Sequence, residues 1–196
     1  MPSWTKYLWI IILSLVTPET VLAHSGEGIT GGLTSGFMHP LAGLDHVAAM
    51  VAVGILGAFL GRPAIWVLPV VFPLVMAFGG VLGLLGIPIP YIEVGIAASS
   101  LVLGSMILFE LKPPLWITAV IVAAFAIFHG HAHGTELPKA ASALAYSVGF
   151  VVSTGLLHLS GIGFGELIRW PTGKIIARAA GGIIALVGIG FLTGWI

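Results

Sequence analysis

The chain of 196 residues contains no cysteine. That removes disulfides, thiolate nucleophiles, iron–sulfur clusters and soft thiolate metal sites together. Charge is nearly as scarce: Asp, Glu, Lys and Arg make up 7% of the residues, against roughly a quarter in soluble domains. Seven Lys and Arg balance seven Asp and Glu, so no net field favours nucleic acid or an acidic partner. There is no HExxH pair and no internal repeat. What is abundant is apolar. Hydrophobic residues reach 58% and the mean hydropathy is +1.15, the composition of an integral membrane protein. The 28 glycines suit helices that pack closely in lipid, where small residues let backbones meet. Seven histidines, equal to the whole Lys and Arg count, are the anomaly.

Residues 1–23 read as a cleavable signal peptide. Lys6 precedes a short apolar core from Tyr7 to Val16, and Val21-Leu22-Ala23 resembles a small-residue cleavage site. The core is about ten residues long, below the ~20 that span a bilayer, and Pro18-Glu19 interrupt it. Cleavage after Ala23 leaves residues 24–196 as one transmembrane domain, with His24 outside the cytoplasm. A glycine-rich segment from Gly26 to Gly36 follows. Pro40 is then placed to start the first spanning helix, with His39 as its cap, and Arg62-Pro63 end it after Leu60. Further apolar runs cover Ile65–Leu85, Ile92–Phe109, Leu115–His133, Ala140–His158 and Ile175–Trp195, separated by Gly/Pro-rich turns, the last from Gly161 to Gly173. The fold class is therefore all-α, a polytopic bundle of six transmembrane helices. With His24 outside, Arg62, Lys112, Arg169, Lys174 and Arg178 fall on the cytoplasmic side and Lys139 outside, as the positive-inside rule requires of a bacterial inner-membrane protein.

Two stretches carry donors. On a continuous helix His39, Gly43, His46, Met50 and Gly54 share one face, with Asp45 beside it. The fourth helix ends in Phe128-His129-Gly130-His131-Ala132-His133-Gly134-Thr135-Glu136, where His129 and His133 share a face and His131 points toward the outer loop. Opposite chain directions bring both stretches to one depth near the outer surface. Glu93 is a third contributor or an interfacial charge. Imidazole and carboxylate without thiolate describe a borderline divalent cation site for nickel, cobalt or zinc. Met50 alone is too little for copper(I) and otherwise packs. His24 with a freed α-amine would chelate a metal. His158 reads either as a helix–helix hydrogen-bond partner, with Thr154 one turn before it, or as part of an ion path. Glu110 and Lys112 read as snorkelling surface charges. Asp45-His46 is different, because an acid and an imidazole buried in lipid are costly and mark function.

These residues resemble a known signature. His39-Pro40-x-x-Gly43-x-Asp45-His46-x-x-x-Met50-x-x-Val53-Gly54 is similar to that of the HupE/UreJ family of nickel permeases, as is Phe128-His129-Gly130-x-Ala132-His133-Gly134-x-Glu136. The likeness extends through Ile92-Glu93, Ser99-Ser100, Gly104, Gly149-Phe150, Ser153-Thr154-Gly155 and His158, nearly the whole mature chain. It implies secondary transport of Ni²⁺, with Co²⁺ as an alternative, and His39, Asp45, His46, His129, His133 and Glu136 as metal-path residues.

The resulting expectation is a permease, passive or proton-coupled, and not an enzyme. It holds no permanent cofactor, and its partners are the divalent ion and lipid, with self-association open. His24, His131 and Glu136 would capture the ion outside. It would then pass to His39, Asp45, His46 and His129/His133, and inward past Met50, Ser100, Gly104 and His158. Two rivals use the same donors. One is an intramembrane zinc hydrolase with Asp45 or Glu93 as base; the other is a metal-binding sensor or assembly factor that moves nothing.

Overall fold

The computed structural model describes residues 29–136 and 142–196, so the expected signal peptide, His24 and Lys139 lie outside it. The described residues form helices α1 (Ile29–Ala42), α2 (Leu44–Leu60), α3 (Ala64–Leu84), α4 (Ile92–Leu108), α5 (Leu115–Thr135), α6 (Ala143–Gly165) and α7 (Pro171–Thr193), with a 3-10 turn at Glu166–Arg169. Four of them, α3, α5, α6 with the turn that follows it, and α7, are long and apolar enough to cross a membrane. The bent pair α1–α2 makes a fifth if it counts as one span, and α4 is a shorter apolar helix. The protein is a multi-pass helical membrane protein.

The first span departs from expectation. Pro40 does not begin a helix; it lies inside α1, and the chain breaks at Gly43, where the axis turns by 82° into α2. The cause is local. Pro40 has no N–H to give the Gly36 carbonyl, and Gly43 takes an extended conformation (φ −99°, ψ 119°) as the cap of α2. His39 therefore ends one helix, and Asp45 and His46 open the next. The single continuous face drawn through His39 and His46 does not exist.

Two further boundaries shift for a common reason. The glycine-rich segment is helical from Ile29 onward, and α6 continues about two turns beyond His158. Both regions are rich in glycine, which reads as a breaker in sequence. In lipid these glycines are contacts. Gly36 lies on the Tyr146 backbone and Gly149 on Leu33, joining α1 to α6; Gly161 meets Val51 and Gly54, joining α6 to α2. The helix α7 starts at Pro171, not Ile175, with proline in the first turn where its missing N–H costs nothing.

The same device holds α3 to α5. Gly79 and Gly83 lie against the α5 backbone at Ile127 and His131, while Gly130 and Gly134 lie against α3 at Met76 and Gly80. Small-xxx-small spacing on both partners permits this approach. With the glycine edge turned to α3, His129 and His133 face the centre of the bundle, and both are buried. At the far end of α4, Glu110 takes a left-handed conformation (φ 52°). Its carboxylate pairs with Lys174 at 2.7 Å and Arg178 at 3.3 Å, and Arg178 Nε donates to the Leu108 carbonyl at 2.9 Å. The Lys174 hydrogen bond holds the Glu110 carboxyl below its ordinary range. Glu110 is thus a tie between α4 and α7, beyond the lone surface charge expected from sequence.

A Cβ at Gly130 would run into the Met76 carbonyl, whereas one at Gly163 would meet nothing within 4 Å. Gly130→Leu is expected to prise α3 from α5 and lower the thermal unfolding midpoint in detergent by several degrees, while Gly163→Ala leaves it unchanged or slightly raised. Equal midpoints for the two variants would refute the glycine-contact account.

Candidate metal centre

The site is built from two short local arrangements. The first is the opening turn of α2. Asp45 Oδ1 accepts the His46 backbone N–H at 2.8 Å and lies 2.9 Å from His46 Nδ1. A carboxylate only accepts, so Nδ1 carries the ring proton and Nε2 keeps a lone pair. That Nε2 is buried and has no hydrogen-bond partner among the described residues. Gly43 makes room for the pair: a Cβ there would sit 2.7 Å from Asp45 Oδ1 and 2.8 Å from His46 Nδ1.

The second arrangement sets His129. Ser99 Oγ donates to the Ile96 carbonyl at 2.6 Å and lies 2.9 Å from His129 Nε2. With its one proton committed, the hydroxyl accepts from Nε2–H, which leaves His129 Nδ1 as a free acceptor, also buried and unpartnered. Two imidazoles on different helices are thus fixed in the tautomer that presents a lone pair.

With His39 and His133 these two histidines form a row. Ring centroids are 4.7 Å apart for His39 and His133, 4.7 Å for His133 and His46, and 4.8 Å for His46 and His129. Glu136 Oε2 lies 3.3 Å from His39 Nε2 at the exposed end. One donor atom each from His39, His133 and Glu136 fall within 4.8 Å of one another. Exposure is highest at the Glu136 end of the row and falls to nothing at His129. The side chains of Glu136 and His39 are 54% and 32% exposed, His133 and His46 are largely buried, and His129 is fully buried. Phe150 packs on His133 at 4.2 Å and Tyr146 lies 5.9 Å from His39, walling one side. Both nitrogens of His133 are unpartnered among the described residues.

The remaining candidates lie elsewhere. His131 turns away and meets the Ile87 carbonyl at 2.7 Å, bracing the turn between α3 and α4. Glu93 is exposed in the first turn of α4 and lines a small pocket that also holds Asp45, Ala97 and Phe191. Ser100 donates to the Asp45 carbonyl at 3.3 Å and so supports the α2 turn from α4. Met50 is fully buried in the apolar core. His158 is buried apart from the row. Sequence reasoning gave no role to Ser99 or Phe150, which entered only through the family resemblance, or to Tyr146 and Phe72. The first had a signal, a hydroxyl inside an apolar helix; the aromatics are indistinguishable in sequence from lipid-facing ones.

Chemically, the centre offers neutral nitrogen lone pairs, two carboxylates and no thiolate, a donor set for a borderline divalent cation. Ligand atoms about a metal at ~2.1 Å stand roughly 3.4 Å apart in a tetrahedron, so the triad of His39, His133 and Glu136 needs only a small closure to reach that spacing. Gly43→Ala is expected to push Asp45 and His46 aside and weaken divalent-ion binding by about 10–100-fold, the usual cost of losing a ligand's orienting partner. Titration of the purified variant with Ni²⁺ checks this; unchanged affinity would mean that the Asp45–His46 geometry does not matter.

Comparison with known proteins bears on what the centre does. The family described as HupE / UreJ protein matches residues 11–191. The chain is 44% identical over 183 residues to Protein HupE of Rhizobium leguminosarum bv. viciae, covering 93% of this chain and 95% of that protein. No solved structure matches.

Proposed function

This chain belongs to the HupE / UreJ family, and from that premise we propose that it is a permease carrying divalent nickel, with cobalt as the alternative, inward across the bacterial cytoplasmic membrane. The observation that supports this reading most is the row of imidazoles whose free nitrogens find no partner among the described residues. Such groups are costly in lipid unless something binds them.

In this reading Glu136 and His39 receive the hydrated ion at the exposed end. His133 and His46 replace its water, and His129 takes it at the deep end. Adjacent rings are close enough for one imidazole to serve two successive positions, so the ion is never wholly uncoordinated. No position offers a full closed shell, which suits conduction, since binding must be weak enough to leave. Asp45 orients His46 and supplies negative charge. Glu93 draws cations toward the Asp45 side, and His131 serves the turn. Six spans, a signal cleaved after Ala23, an outside N-terminus and capture by His24 belong to the same proposal. Nickel as the ion rests on the family resemblance, because the donors suit cobalt and zinc equally.

A second reading has one observation in its favour: His39, His133 and Glu136 form a His₂Glu set of the kind that holds catalytic zinc. A hydrolase has no use for His46 and His129 continuing the row inward, so transport accounts for more of the structure. Proteoliposomes separate the two readings, because a permease accumulates Ni²⁺ and a hydrolase does not.

Asp45→Asn keeps the shape and removes the charge. Ni²⁺ uptake at limiting concentration is expected to fall at least about tenfold, and wild-type uptake would sink the role given to Asp45. Imidazole must be neutral to bind metal. Protons therefore compete, and uptake should decline as the outside pH falls from about 7.5 to 5.5, through the ordinary imidazole range. A flat profile would exclude proton competition.

A further inference from the structure

The deep end of the row does not open to the cytoplasm. Beyond His129 stands Phe72 of α3, fully buried, its ring centroid 5.7 Å from that of His129. On its other side, at 5.5 Å and nearly perpendicular, is His158 of α6. His158 lies fifteen residues from the outer end of α6 at Ala143, roughly 22 Å down a helix rising 1.5 Å per residue and so in the inner half of a ~30 Å hydrocarbon core.

Polar groups around it are left open. Both ring nitrogens of His158 lack a hydrogen-bond partner among the described residues, as does the hydroxyl of Thr154, one turn earlier on the same face. Both residues are almost completely buried. Hydroxyls on helices in lipid commonly close onto the carbonyl four residues back, and Ser147, Ser160 and Thr193 do so here. Thr154 does not. The third group comes from α3, which holds Pro69 and Pro73. Pro73 has no N–H, so the Pro69 carbonyl loses its helical donor, and that carbonyl is close enough to the His158 ring to attract its N–H without closing a well-formed hydrogen bond.

We propose that His158, Thr154 and the freed Pro69 carbonyl form a second, inner station for the same divalent cation, separated from the outer row by the Phe72 ring. This rests on the permease reading above. The station offers one nitrogen and two oxygens, and the ion keeps part of its water there. It therefore binds more weakly than the outer row, as a site that must release ion inward requires. Phe72 fills the way between the two stations, so transfer needs its ring to swing, and the two stations are not joined in the conformation described.

The test uses the full chain, with Ni²⁺ binding measured on purified protein and Ni²⁺ influx in proteoliposomes. His158→Leu should keep outer-row affinity within about twofold while influx falls at least about tenfold, and the isosteric Thr154→Val should lower influx severalfold. Wild-type influx in either variant overturns the inner station. Loss of outer-row affinity in a folded His158→Leu protein overturns its separateness. If that variant does not fold, Thr154→Val decides alone. Absence of influx in the wild-type protein would instead overturn the permease reading itself.

Discussion

A nitrogen lone pair with nothing to bond to, held inside a membrane, is the condition on which this structure turns. Each unsatisfied buried polar group costs about 1–3 kcal/mol, and His46, His129 and His133 each carry at least one. The opposite nitrogens of His46 and His129 are not left to chance. Asp45 and Ser99 take their protons and so point the free lone pairs inward. A protein under selection for stability alone would do better with leucine at these positions. In the proposed permease a bound cation repays that cost.

The row is held by helices that owe their positions to other contacts. Glycine edges lock α1 to α6, α6 to α2, α3 to α5 and α4 to α7. By contrast α2 and α5, which bring His46 to His129 and His133, touch at little besides these imidazoles. The same is true of α3 and α6, which bring Phe72 to His158. The proposed ion path thus runs along the seams between tightly packed pairs. Small movements of one pair against another would change these distances without breaking any glycine contact, which is where a transporter needs its freedom.

Much of this was legible in the residues. An apolar chain with scarce charge announces membrane helices, and histidines in such a chain announce a site. The positions His39, Asp45, His46, His129, His133 and Glu136 do come together. The errors share one cause. In soluble proteins glycine and proline punctuate the chain. Here Gly36, Gly161 and Gly165 continue helices and serve as their contact surfaces, so α1 was missed and α6 ended too early at His158. Pro40, whose missing N–H would suit the first turn of a helix, here helps to end one. That Gly43 and not Pro40 marks the boundary depends on packing of α1 against α6, which no local pattern reports. The partners of Ser99 and Glu110 were likewise invisible, being contacts between segments far apart in the chain.

The break at Gly43 has an electrostatic consequence that gives Asp45 its place. It puts the N-terminus of α2 at the metal centre, and the first turn of a helix carries about half a positive charge on its unpaired N–H groups. Left bare, that end would repel a divalent cation from the lone pairs of His46. Asp45 stands in this first turn and brings a full negative charge, so the local field changes sign. The break also frees the last carbonyls of α1, beside His39, from helical bonding. A continuous helix would have consumed those carbonyls and offered no positive end to neutralise. Discontinuous helices near an ion site combine these two features, free carbonyls and a charged terminus. In this chain an acid at the second position of α2 makes that combination attractive to a cation.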